Sequence, residues 1–574
     1  MEYNKPMSAE RPITKVGKLI RVVNTAREYL RDEPFTPLDP PLTHQEMLDR
    51  EEDMALRRNG RDRIIFGTRL VTTVPTEGDL YGWDGFKWDG YAAAGINAMS
   101  NRTDLAATEL LTMERYRDTA TGFLTAKFRL EGVSDEDYHV GKPEIYTQKK
   151  EGRTAYPQPP LGAWAVLKTN ESNLRKIKDP KNLHIRQQVE DDDILFLYDS
   201  YGAVENYIPY KGRMEPHFTG LRGECEYFIN HLQNSEEDPL IFITNPNATG
   251  RDWDKALNDS EGGPKMVNLP GKGKLISRIN SGTRWVLYQK FNNEMAELGH
   301  DPKVHGPDVP EAERRSDWIP EQVKKKYAVN DVEFCAMHAW NLRNTADVAR
   351  KLGKRLPEKA AQYEAEAIRY EEIAHSVAEE IIKRMWNPEK KFFYNLNTDG
   401  SQNPTDSITG LFPLMLDEIR APQHRDKFIS LLDKLDPDLE EGRQTFATPF
   451  PIPTHPQGDD FDPDNQRKEG ADWQGPSWGI TNYFLVEEGL VKQAEELLKS
   501  NNAQDVGLGK RCMKIAGWVI EQSQKMISIN PETREQYNPF TGQGQRGKVF
   551  MWTNLLLHFE NYEKVKENIV DERK

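Results

Sequence analysis

Apolar positions recur at helical spacing in run after run of this chain, with polar, Gly- and Pro-marked loops between them. Residues 105–116, 194–207, 221–232, 329–352, 360–385, 408–419, 427–435, 479–490, 494–498, 509–526 and 549–559 carry the pattern. A further helix is expected from Pro159, with proline in its first turn. The runs come in pairs, yet no unit of fixed length repeats, which argues against a stacked solenoid. Paired helices closed into a toroid, with a face of functional loops, fit the pattern better than an unspecific all-α bundle.

The start of the chain reads differently. Residues 18–30 and 44–58 are polar helical stretches separated by the segment from Pro34 to Pro41, and 63–74 is a β-like run. Residues 1–75 are therefore expected to form an extension with a minor strand element, packed on a main helical domain of residues 76–574. Residues 256–328 interrupt the helical rhythm with Gly262-Gly-Pro, Leu269-Pro-Gly-Lys-Gly-Lys and a long charged, Pro-rich stretch. A loop of that length predicts a lid-like insertion.

Composition narrows the class. With 12 Trp, 21 Tyr and 22 Phe the chain is too aromatic to be disordered. Abundant rings in a polar chain also suit a sugar-binding cleft. A net charge of −15 excludes a nucleic-acid footprint, and Lys324-Lys-Lys326 reads as a solvated loop or helix end. Three scattered cysteines, Cys225, Cys335 and Cys512, make no disulfide framework. No apolar leader or membrane-length run is present, so a cytoplasmic protein is expected, and the sequons at Asn101, Asn170, Asn247 and Asn258 are expected to be unused.

The chemistry gathers in a few loops. The apolar run Leu240-Ile-Phe-Ile-Thr244 leads into Asn245-Pro-Asn-Ala-Thr-Gly-Arg-Asp-Trp-Asp254. Asp252 and Asp254 flank Trp253, and a carboxyl beside an indole is placed to stay protonated near neutrality. The same residues also read as a turn capping the next helix. Tyr81-Gly-Trp-Asp-Gly-Phe-Lys-Trp-Asp-Gly-Tyr91 holds two Trp-Asp pairs, a pattern in which rings stack on sugar faces and carboxylates accept hydroxyl hydrogen bonds. Two later segments, Ala471-Asp-Trp-Gln-Gly-Pro-Ser-Trp-Gly479 and Arg534-Glu-Gln-Tyr-Asn-Pro-Phe-Thr-Gly542, repeat this mixture of aromatic, amide and acid.

Other chemistries lack their parts. Gly542-Gln-Gly-Gln-Arg-Gly547 spells a dinucleotide fingerprint but follows no βαβ pattern. Gly271-Lys-Gly-Lys274 lacks the spacing of a phosphate loop, and no Cys/His cluster or nucleophile elbow occurs. His338 and His375 lie in helical patterns and read as core or surface histidines. No metal or cofactor is expected, and the expected partner is a small carbohydrate rather than nucleic acid or membrane.

Taken in order, these segments resemble the helical-toroid glycosidases of glycoside hydrolase family 63, including mannosylglycerate and glucosylglycerate hydrolases, and more distantly the trehalases. The resemblance rests on Trp83-Asp84-Gly-Phe86, Gln158-Pro-Pro160, Thr249-Gly-Arg-Asp252, Trp473-Gln-Gly-Pro-Ser-Trp478, Glu535-Gln-Tyr-Asn-Pro-Phe-Thr-Gly542 and Trp552-Thr553. It spans residues 80 to 560. Thr249, Arg251, Gln474 and Met551 depart from the family pattern, and Gln474 in place of the usual Arg bears on which sugar or aglycone is recognised.

The resemblance implies an (α/α)6 toroid and an inverting α-glycosidase. Asp252 would be the general acid, with Asp254 as the fallback, and Glu535 the general base that activates water. Trp83, Asp84, Phe86, Gln158, Gly250, Trp473, Gln474, Tyr537 and Trp552 would line the sugar site, and Arg251 would meet an acidic aglycone such as glycerate. Two alternatives use the same toroid. One is a non-catalytic sugar-binding protein. The other is a sugar epimerase, which would call for paired histidines that the motif loops do not offer.

Overall fold

Small residues let the central helices of this protein approach closely. Every residue of Lys87–Met99 is buried, Ala92, Ala93 and Ala94 among them, and the helix packs along Gly162–Lys178. A Cβ placed on Gly95 would stand 2.1 Å from a ring carbon of Trp164. Alanine normally gains about 1 kcal/mol over glycine inside a helix. Here the clash outweighs it: Gly95→Ala is expected to destabilise by about 1–3 kcal/mol, the usual cost of overpacking, read as a lowered urea midpoint.

The computed structural model describes residues 37–58, 63–65, 68–70, 84–114, 117, 122, 124, 127–129, 158–182, 184–202, 207–210, 213–216, 219–235, 237–243, 267–269, 273–275, 329–397, 399–457, 461–463 and 473–571. Within these, Gly162–Lys178 packs on Val332–Arg355, which packs on Ile408–Met415. That segment meets Phe484–Leu490, the continuation of Gly479–Tyr483, which packs on Trp552–Leu557. Trp552–Leu557 returns to Lys87–Met99 and closes the ring. Outer helices back the inner elements: Thr103–Glu114, Arg186–Tyr201, Ala360–Glu380, Arg425–Leu435, Ala503–Ser528 and Glu560–Asp571. The fold is an (α/α)6 toroid. Its strands are short antiparallel pairs at the loops.

Inner and outer elements alternate along the chain, so the inner ones begin at one shared end of the ring. Each starts where a loop delivers chemistry. Trp88 and Asp89 open the first, Gln158 precedes the second, and Asn330 and Asp331 precede the third. Trp473–Trp478 leads into Gly479, and the Glu535 hairpin leads into Trp552. Local capping fixes these entries. Asp331 Oδ1 accepts from Phe334 N at 2.9 Å while its Oδ2 accepts from Asn395 Nδ2 at 2.8 Å.

Several helical expectations change in detail. Residues 408–419 form a 3₁₀ helix over Ile408–Met415, because Pro413 has no N–H for the α ladder and Gly410 is pressed against Phe392. The last inner element, Trp552–Leu557, is also 3₁₀, and 479–490 widens to a π turn from Phe484. The helix beginning near Pro159 starts at Gly162, so the proline lies ahead of it. The β-like run at 63–74 is a hairpin of Arg63–Ile65 with Thr68–Leu70.

Of the described residues ahead of the ring, 38–51 lie against it. Leu38 and Leu42 donate to Ile529 and Ser528 carbonyls, and Arg50 Nη1 donates to Asn530 O at 2.7 Å. Buried Glu51 pairs with Arg102 at 2.6 Å and with His558 at 2.9 Å. Residues 18–30 lie outside the described residues, as does the expected lid at 256–328 apart from the hairpin of Val267–Leu269 with Gly273–Leu275.

Candidate active site

The hairpin carrying Glu535 is irregular in a way that serves its carboxylate. Arg534 pairs with Lys548, but Gln536 pairs with Gln545, so Arg546 and Gly547 together face Glu535. Arg546 takes up the bulge at a φ of 60°. The Gly547 N–H is thereby turned onto Glu535 Oε2 at 3.1 Å, a charge-assisted hydrogen bond. Asn530 fixes the far end, accepting from Gly544 N at 2.9 Å and donating to Gly542 O at 2.8 Å. Trp552 Nε1 donates to Glu535 O at 3.4 Å, and Thr553 Oγ1 donates to Arg534 O at 2.7 Å. The hairpin is thus locked to the last inner element.

Tyr537 belongs to the same lock. Its ring is fully buried and its hydroxyl accepts from Arg534 N at 2.8 Å, while burial pushes the phenol up to about 12. The structure gives that hydroxyl an occupation inside the hairpin.

A second carboxyl shares Glu535's surroundings. Asp89, in the first turn of Lys87–Met99, is 5% exposed, and its Oδ1 has no hydrogen-bond partner. Burial first, and the charge of Glu535 after it, push this carboxyl up to about 8. An unsatisfied buried oxygen beside a candidate base marks a place where a ligand hydroxyl can bind.

Gln158 is tied to the same helix start. Its Oε1 accepts from Trp88 N at 2.9 Å and its backbone O accepts from Lys87 Nζ at 3.3 Å. Trp88 and Trp552 lie 5.9 Å apart, Trp552 and Trp478 5.5 Å apart, and Trp478 stacks on Trp473 at 3.9 Å. These rings link three loop entries of the toroid, with Trp473 buried to 2%. Gln474 O accepts from Asp462 N at 2.8 Å, and Ser477 pairs with Tyr537 through both backbone bonds.

Glu535, Gln158, Trp473, Gln474, Tyr537 and Trp552, drawn from distant parts of the sequence, therefore occupy loop entries that are knitted together. Asp84 and Phe86 lie on a strand paired with Lys127–Arg129. Trp83, Gly250, Arg251, Asp252 and Asp254 lie outside the described residues. The apolar run ahead of them is buried at Leu240, Ile241, Phe242 and Ile243, and Ile243 pairs with Val329, beside the entry to Val332–Arg355.

Asp89 stood in the double Trp-Asp motif read as a sugar platform but not among the residues assigned to the candidate site. Its signal was present: a second Trp-Asp pair directly ahead of small residues, which places the carboxyl in the first turn of a buried helix. His338 is a core histidine, stacked on Phe228 at 5.3 Å and pushed down to about 3 by burial, while His375 is exposed and bonded to Glu418 at 2.7 Å. Among the described residues no group of three or more His, Cys, Asp or Glu is arranged to hold a metal ion, and no helix is long and apolar enough to cross a membrane.

Residues 201–553 match the family model described as the mannosylglycerate hydrolase MGH1-like glycoside hydrolase domain. The chain belongs to this family. It is a glycoside hydrolase. The fold of this MGH1-like hydrolase is shared with the GH63 mannosylglycerate hydrolase from Thermus thermophilus. In its complex with Tris that structure has a TM-score of 0.57 at 19% identity, covering 89% of this chain and 98% of that one. The same enzyme in complex with glucose, and with Tris and D-glycerate, gives a TM-score of 0.55 at 18% identity over the same shares. Comparison with curated protein sequences gives no match.

Proposed function

We propose that this MGH1-like hydrolase is an inverting α-glycosidase that cleaves a small α-glucoside or α-mannoside. Asp252 donates the proton to the leaving oxygen, and Glu535 takes a proton from the attacking water. The observation that carries this reading is the Glu535 carboxylate held by Gly547 N–H in the electrostatic reach of buried, unsatisfied Asp89. One acid is placed for work on water and the other for a sugar hydroxyl. Trp88, Trp473, Trp478 and Trp552 supply the apolar surround that strengthens both interactions.

Inversion requires room for a water between acid and base, so Asp252 and Glu535 are expected about 6.5–9.5 Å apart. The related hydrolase binds glucose and D-glycerate. A glucoside or mannoside of a small acid is accordingly the favoured substrate, with Arg251 meeting the carboxylate. Proton NMR with glucosylglycerate, mannosylglycerate, trehalose and kojibiose in parallel tests the reading. Early appearance of the β-anomer from one of them is expected. Early α-anomer would overturn inversion, and sugar binding with no turnover of any would favour a carbohydrate-binding protein.

A further inference from the structure

Behind the first turn of Lys87–Met99 lies a buried cluster of charges that touches none of the reacting groups. Lys87 and Glu224 form an ion pair in which each side chain is 1% exposed. Arg117 grips Glu114 with two bonds, at 2.7 and 2.6 Å, and donates to Gly122 O at 2.7 Å. Glu114 in turn accepts from Gly220 N at 3.0 Å, at the start of the helix Gly220–Tyr227 that carries Glu224. Two cations face two anions, so the cluster is neutral. Phe228 and Tyr91 close over the ammonium at 5.5 and 5.9 Å.

Apolar residues of equal volume would stabilise such a place at least as well, because desolvation offsets most of the attraction in a buried pair. What the pair supplies is position. Lys87 immediately precedes Trp88 and Asp89, and its ammonium also holds the Gln158 backbone, whose side chain receives the Trp88 N–H. We infer that Lys87 and Glu224 are positioning residues, an internal strut that sets the rotation of the first helical turn and so aims Asp89 and Gln158 at the sugar. The inference rests on the sugar-site reading of Asp89 and Gln158 given above.

The test is the charge-free pair Lys87→Met/Glu224→Gln, with Lys87→Arg, which keeps both charges but changes the reach of the cation, as the milder variant should the pair not fold. The melting temperature reports folding, hydrogen exchange reports order at residues 84–91, and calorimetry with D-glucose and D-mannose reports sugar binding. Turnover is measured on whichever of the four glycosides the wild type cleaves. The folded variant is expected to lose exchange protection at 84–91 and to bind sugar and turn over about 10- to 100-fold less well, the scale of a misaimed contact. The loss should be non-additive with Asp89→Asn, because the strut acts through that carboxyl. Wild-type protection with unchanged sugar affinity and turnover, or a fully additive loss, would overturn the strut. If the wild type cleaves none of the glycosides, the hydrolytic reading fails while exchange and sugar binding still decide the inference.

Discussion

Glu535→Gln is expected to lower kcat/KM by ~10²–10⁴, the range for losing a general base, while leaving the fold in place. The amide oxygen of glutamine still accepts from Gly547 N–H, and the locks made by Trp552 and Thr553 use backbone oxygens of Glu535 and Arg534 that the substitution does not touch. Stability and turnover should therefore separate: an unchanged melting temperature beside near-complete loss of hydrolysis. Asp252→Asn is expected to be as severe on a glycoside with a poor leaving group. The two losses differ in kind. An α-glycosyl fluoride needs no protonation of its leaving group, so it should restore much of the rate to Asp252→Asn and none to Glu535→Gln. Asp254→Asn should change little. If Glu535→Gln hydrolyses the natural substrate at the wild-type rate, the assignment of the base fails. If Asp254→Asn takes the behaviour expected of Asp252→Asn, the acid is its neighbour.

That assignment is suggested by segments of the sequence in which Pro, Gly, Trp and acid stand out against helical periodicity. The order of the helices was legible for the same reason. Ring closure, expected from the paired runs and the family resemblance, is made by Trp552–Leu557 meeting Lys87–Met99 across most of the chain. The 3₁₀ geometry of Ile408–Met415 was hidden because apolar spacing alone does not separate three from three-point-six residues per turn over two turns. Asp89 was visible as part of a double Trp-Asp motif but was not singled out from it. Two Trp-Asp pairs stand five residues apart, and only the packing shows that the second is buried in the field of Glu535. Tyr537, expected to line the sugar site, has a hydroxyl that is engaged by its own hairpin. Lys87 and Glu224 carry no signal at all in one dimension, being 137 positions apart by their numbers.

Asp89 should also govern how the protein responds to pH. Its carboxyl is pushed up to about 8 in the folded state, against roughly 4 in an unfolded chain. Between those values the folded protein holds a proton that the unfolded chain has released, so stability from this group is full at low pH and falls as pH rises towards 8. Asp89→Asn cannot ionise and escapes that fall. Relative to wild type it should gain at least about 1.4 kcal/mol on moving from pH 5 to pH 9, the equivalent of a tenfold change in proton affinity, measured by urea unfolding. Sugar binding carries the complementary signature. Ligand hydroxyls donating to Asp89 favour its charged form, so binding near pH 7 should release a proton. Calorimetry in buffers of different ionisation heat would show it as a buffer-dependent enthalpy that vanishes in Asp89→Asn. In Glu535→Gln the neighbouring negative charge is gone, so Asp89 ionises at lower pH and less proton is released. Burial, the larger cause, still keeps it above the usual carboxylate range. Equal heats in all buffers for the wild type would mean that Asp89 does not receive the sugar, and the site would have to be drawn around Glu535 without it.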